Sequence, residues 1–158
     1  MSLATDLVPL FRRDLTRLQR QIEAFPTDEM LWQQYAGITN SAGNLALHIE
    51  GNLREYVGRQ LGQVPYERTR EREFSTKGVT RQELSARIND LANSIPPIIA
   101  TLTAEQLDAE YPQVVLEKPL TTQAFLIHIY GHLNWHLGQV DALRRVLSGD
   151  GALPRTSL

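Results

Sequence analysis

The chain has 158 residues, 42% of them hydrophobic and 22% charged, which is enough for one compact domain and too little for a large multidomain machine. Sixteen Lys and Arg stand against 18 Asp and Glu, a net charge of -2, so nothing in the balance favours nucleic acid or an anionic membrane as a partner. With no cysteine, disulfides, thiolate nucleophiles and sulfur metal ligands are excluded, and any metal site must be built from nitrogen and oxygen. No run is long and apolar enough for a transmembrane helix. Met1 to Arg13 lacks the basic segment, apolar core and cleavage site of a signal peptide, so the expected location is the cytoplasm.

Residues 3–24 carry Leu7, Leu10, Phe11, Leu15, Leu18 and Ile22 at three- and four-residue spacing, the stripe of an amphipathic first helix that Pro26 ends. Met30, Leu31 and Trp32 form a short apolar patch over one end of the core. Asn40 and Ser41 are good N-caps for a second helix over 41–61, with Gly62 as its C-terminal stop. Residues 62–79 are polar, hold Pro65 and Gly78 and show no helical stripe, so they read as a long connection. Thr80 and Glu83 make a capping box for a third helix, which is expected to bend at Pro96-Pro97. Thr103 with Gln106 opens one short turn, and 111–119 reads as extended loop. Thr121 or Thr122 caps a fourth helix running to Gly149.

Four amphipathic segments without a strand or repeat predict an all-α four-helix bundle. The long crossover at 62–79 lets the second and third helices run parallel, which gives the order up-down-down-up. The bundle domain spans 1–148, followed by a mobile tail, 149–158.

Three of the four histidines, His128, His132 and His136, lie in HIYGHLNWHLGQ on the fourth helix, and the fourth, His48, lies in NLALHIEGN on the second. Neighbours in the series are offset by about 40° and rise by about 6 Å, so they share a face; His128 and His136 are about 12 Å apart, too far for one ion. His132 therefore belongs to any helical pair. If the second and fourth helices are antiparallel, His48 lies level with the later half of the series, and the set is His48, His132 and His136. Three imidazoles with no fourth protein ligand leave an open position, as in catalytic metal sites. His128 reads as a core or interface histidine, or as a neighbour of the ligands.

A histidine in the second helix, followed by a fourth helix reading H-x-x-x-H-x-G-Q with an Arg beyond it (His132, His136, Gly138, Gln139, Arg144), resembles the DinB/YfiT-like superfamily. The likeness extends to NSAGNLALHIEGNLREYV and RTREREF and covers about 40–148. It implies an up-down-down-up bundle, a three-histidine site for nickel or zinc on the same three residues, and frequently a homodimer. Relatives include transferases and isomerases that use small thiols; no thiol-binding motif is present here, and the implied activity is only a metal-dependent transferase or hydrolase of unknown substrate.

Around the histidines, Gln139 lies three residues past His136, where it could orient an imidazole, and Asn52 shares the face of His48 one turn on. Glu55 is a candidate general base, with a solvated carboxylate as its plainer reading. Gly138 reads as a helix-packing glycine. Trp32, Tyr130 and Trp135 read as core or dimer interface, and TREREFS, residues 69–75, as a surface loop or intersubunit salt-bridge segment. Two functions compete: a metalloenzyme acting on a small molecule at an open metal position, and a non-catalytic helical interaction or stress-response protein whose metal, if any, only ties two helices together.

Overall fold

The computed structural model describes residues 3–157; Met1, Ser2 and Leu158, which fall within the expected domain and tail, lie outside the described residues. The first stripe becomes helix α1, Leu3–Glu23, with Leu7, Phe11, Leu15, Leu18 and Ile22 buried. Thr27 caps the short helix α2, Asp28–Trp32. Ser41 caps α3, Ala42–Leu53, which continues through a π-helical segment, Arg54–Arg59, into α4, Gln60–Gly62. Then come α5, Arg70–Ser75, α6, Arg81–Ala100, α7, Ala104–Asp108, and α8, Thr122–Ser148.

Contacts fix the direction of each long helix. Ser85 near the start of α6 bonds Glu23 at the end of α1, so these two are antiparallel. Tyr130 meets Asp14 and Asp141 meets Gln21, so α8 runs parallel to α1. His48 meets His132 while Tyr56 packs on Phe125, which makes α3 and α8 antiparallel, and the Glu50–Arg87 and Arg54–Asp90 pairs make α3 and α6 parallel. The order is up-down-down-up, as the crossover length predicts.

Three details depart from the sequence reading. The 62–79 connection contains a helix, α5, because Glu73 turns inward to partners on other segments instead of lining up an apolar stripe. The left-handed cap after α4 is Gln63, with φ 54°, while Gly62 stays helical; Ile98 packs so close that a Cβ at 62 would stand 2.6 Å from its Cδ1. At Thr80 only half of the capping box forms, with the hydroxyl accepting from the Glu83 amide; the full reciprocal box is at Thr103 and Gln106. The α6 helix contains Pro96 and Pro97, the place of the expected bend, within one element.

Helix α3 is the centre of the packing: every residue from Ala42 to Leu53 is buried. Trp32 closes over its first turn, donating its indole N–H to the Val79 carbonyl at 2.9 Å. Its ring lies so close to Gly43 that a Cβ there would stand 2.7 Å from Cε3. Gly43→Ala should therefore destabilise the fold by about 1–3 kcal/mol through overpacking, even though Ala favours helix over Gly. Thermal unfolding is expected to show a drop of about 2–4 °C per kcal/mol; an unchanged midpoint would show that Trp32 can move aside.

Candidate metal centre

Antiparallel packing sets His48 on α3 opposite His132 and His136 on α8. One side-chain nitrogen from each can be chosen so that all three lie within 4.8 Å of one another. His132 Nε2 is 3.3 Å from His48 Nε2 and 3.1 Å from His136 Nε2. Bonds of about 2.1 Å to a common ion would separate ligand nitrogens by about 3.0 Å at right angles and about 3.4 Å at the tetrahedral angle, so both separations suit one ion. The three residues form a group that could hold a metal.

The outer ring nitrogens show why these faces point lone pairs at each other. His48 Nδ1 lies 2.8 Å from Glu73 Oε2, and His136 Nδ1 lies 2.6 Å from Gln139 Oε1. Each faces an oxygen acceptor, so each carries the hydrogen, and the neutral ring keeps its lone pair on Nε2. Burial pushes His132 down to about 4, helped by the neighbouring His136, His48 and His128. Burial also lowers His136, against the hydrogen bond to Gln139. With hydrogen on Nδ1 of His48 and His136, their Nε2 lone pairs face His132 Nε2, and a cation among the three nitrogens would satisfy them.

Asn52 sits where the helical spacing puts it, donating Nδ2–H to His48 Nε2 at 3.0 Å. His128 stands aside: its ring centroid is 6.4 Å from that of His132 and 5.9 Å from Phe125, and it is not part of the convergent group. Glu55 is buried and taken up by Arg59 and Gln60, so the expectation of a solvated carboxylate does not hold. Tyr130 bonds Asp14 and Arg13 on α1, Trp32 caps the core, and Trp135 is 70% exposed. Gly138 has nothing within 4 Å of a Cβ position, so it packs against no helix of its own chain.

The alternating run that holds Arg68 and Glu73 reads in sequence as a solvated face or surface loop, and for Glu73, only 6% exposed, that expectation does not hold. The two side chains form a buried pair, with Arg68 Nε and Nη2 donating to the two carboxylate oxygens at 2.6 and 2.9 Å. Burial alone would raise the Glu73 carboxyl, but hydrogen bonds from Arg68 and His48 hold it below the usual carboxylate range. Alternating charges at 67–73 look like any solvated run, and the partner of Glu73 lies 25 residues away.

These features define a class: an all-helical bundle whose second and fourth long helices bring three histidines together. Within that class the fold is DinB-like. The chain is similar to a DinB-like protein from Bacillus cereus, known from its crystal structure, with a TM-score of 0.65, 18% sequence identity, and coverage of 89% of this chain and 91% of that one. No protein-family model matches the chain, and no curated protein matches it. No helix among the described residues is long and apolar enough to cross a membrane.

The His132 value implies a pH dependence of stability. Its folded pKa, about 4, lies below the ordinary value of 6.5, so the unfolded chain binds the extra proton first and stability is lost as pH falls from about 6.5 towards 4. Thermal unfolding of chelator-treated protein should show a midpoint that falls across this window and a shallower fall in His132→Asn. Equal slopes in the two proteins would contradict a buried neutral imidazole.

Proposed function

We propose that the protein binds one divalent ion, nickel or zinc, through His48, His132 and His136, and that it acts on a small molecule at the ion's remaining positions, as a transferase using a thiol or as a hydrolase. The observation that carries this reading is the convergence of three histidine ring nitrogens with no fourth protein ligand in the group. A bound ion of this kind supplies Lewis-acid polarisation of an oxygen or sulfur donor. The chain's own residues do the rest. Gln139 and Glu73 hold two of the rings in register from behind. Asn52, whose N–H now points at His48 Nε2, is the nearest amide able to turn to a small molecule once that nitrogen is engaged. His132 and His136 are partly exposed, which suits entry from solvent.

Calorimetric titration with nickel or zinc tests the ligand set. His132→Ala should abolish binding and His128→Ala should leave it nearly unchanged, since His128 lies outside the group. Loss in His128→Ala with retention in His136→Ala would instead identify His48, His128 and His132. Cobalt-loaded protein distinguishes an open centre from a structural tie: its visible spectrum should change when a small thiol is added, and an unaltered spectrum would favour the non-catalytic reading.

We further propose a homodimer through the solvent face of α8. Ile127, Gly131, Trp135, Gly138, Ala142 and Val146 follow one another at steps of three and four, all exposed, with Ile127, Trp135 and Val146 at 55%, 70% and 53%. Under an antiparallel twofold the stripe matches itself, placing Ile127 opposite Val146, Gly131 opposite Ala142 and Trp135 opposite Gly138 of the second copy. Trp135 then meets the gap over Gly138, while Gly131 and Ala142 allow close approach and Ile127 and Val146 close the two ends, so the stripe is complementary to itself. Light scattering should give twice the 17.9 kDa chain mass for the wild type and a single-chain mass for Trp135→Glu; a wild-type monomer at micromolar concentration would refute the dimer.

A further inference from the structure

The connection between α4 and α6 carries more structure than a link across a bundle end needs. In its middle, α5 lays Glu73 against α3 with only 6% of the residue exposed. Both carboxylate oxygens are occupied: Oε2 faces His48 Nδ1 at 2.8 Å, and Arg68 grips Oε1 and Oε2 together. Beneath the carboxylate is Gly51, where a Cβ would stand 2.0 Å from Oε1, so any larger residue at 51 would evict it. The amide of Asn44 donates to the carbonyls of Glu73 and Thr76 at 3.0 and 2.9 Å and pins α5 along α3. Phe74, the next residue, covers the His48 ring at 5.0 Å between centroids.

A ring nitrogen that faces a carboxylate must be the one bearing hydrogen, because the other tautomer would set a lone pair against a negative charge. Glu73 therefore dictates which nitrogen of the neutral His48 tautomer carries the lone pair, and it is Nε2, the atom in the three-histidine group, towards which Asn52 Nδ2–H points. A carboxylate behind a ligating imidazole also makes that imidazole a better donor.

We propose that Glu73 is the positioning residue of the centre. It fixes His48 as the Nδ1–H tautomer, and through this one carboxylate the docking of α5 is coupled to metal retention. The coupling rests on the metal reading above; the tautomer does not. Linkage makes the coupling reciprocal, so whatever loosens α5 weakens the metal and whatever removes the metal loosens α5.

Two measurements on the full chain test this. Nitrogen-15 NMR of the histidine rings in metal-free protein should show His48 as Nδ1–H in the wild type, and a shift towards Nε2–H in both Glu73→Ala and Gly51→Ala. Nickel titration should show both variants binding about 10–100-fold more weakly, with Glu73→Gln recovering part of the loss, because its amide oxygen can still accept from Nδ1–H while its NH2 is set against Arg68 Nε–H. Gly51→Ala guards against a simple folding defect, since it displaces the Glu73 carboxylate without altering the identity of Glu73, Arg68 or any histidine, and Ala favours helix; circular dichroism checks that each variant is folded. A wild-type His48 in the Nε2–H form, or a tautomer unchanged in Glu73→Ala, overturns the positioning role. Nickel affinity unchanged in both variants overturns the coupling. If the wild type takes up no nickel yet shows the expected tautomer change, the positioning role stands while the coupling and the metal reading fall together.

Discussion

Helix α3 has no solvent face, and most of what distinguishes this bundle follows from that constraint. Its polar residues Asn44, His48, Glu50 and Asn52 are all buried, and a buried polar group without a partner costs about 1–3 kcal/mol, more when charged. Each is answered by a different neighbour. Asn44 takes two carbonyls of the α5 region, Glu50 takes Arg54 and Arg87, and His48 takes Glu73 on one side and the α8 histidines on the other. Asn52 spends its amide on His48 itself. The polar groups of one helix thus dictate where α5, α6 and α8 can sit, and an otherwise non-directional apolar core acquires a register.

The same constraint shapes the three-histidine group that could hold a metal. Two rings are held from behind by oxygen acceptors, and burial among imidazoles lowers the pKa of the third. On the proposed reading, an ion would meet rings already oriented. The site is rigid on the α3 side, where everything is buried, and accessible on the α8 side, where His132 and His136 reach partial exposure. Helix α8 is thereby asymmetric in its duties, with histidines facing inward and a nearly uncharged stripe around Trp135 facing out.

How far all this could be read from residues alone depended on the range of the interaction. Amphipathic spacing revealed α1, α6 and α8 because Leu, Ile and Phe at steps of three and four report directly on a buried face. Thr121 and Gly149 marked both ends of α8 because caps act within a turn. Depth along the bundle separated His128 from His132 and His136, which needed only helical rise and the antiparallel direction. Glu73 reads as part of a solvated charge run because its role depends on His48, 25 residues earlier, and on the absence of a side chain at Gly51. A polar, alternating stretch offers no periodicity from which such a partnership could be inferred. Glu55 misled for a similar reason: its environment is set by Arg59 within a π-helical turn, which no apolar pattern announces.

One buried charge away from the centre bears on how the bundle closes. Arg144, only 1% exposed, is nearly sealed between α1 and α8, with Nε donating to Gln21 Oε1 at 2.6 Å and Nη2 to the Gly151 carbonyl at 2.7 Å. A few residues on, Thr156 accepts from both Arg17 and Arg20 on α1. A buried guanidinium is tolerated only when its donors meet acceptors. The segment after Gly149 therefore acts as a strap: its backbone oxygen answers Arg144 and its Thr156 answers two arginines of α1, so the pairing of a buried charge depends on residues outside any helix.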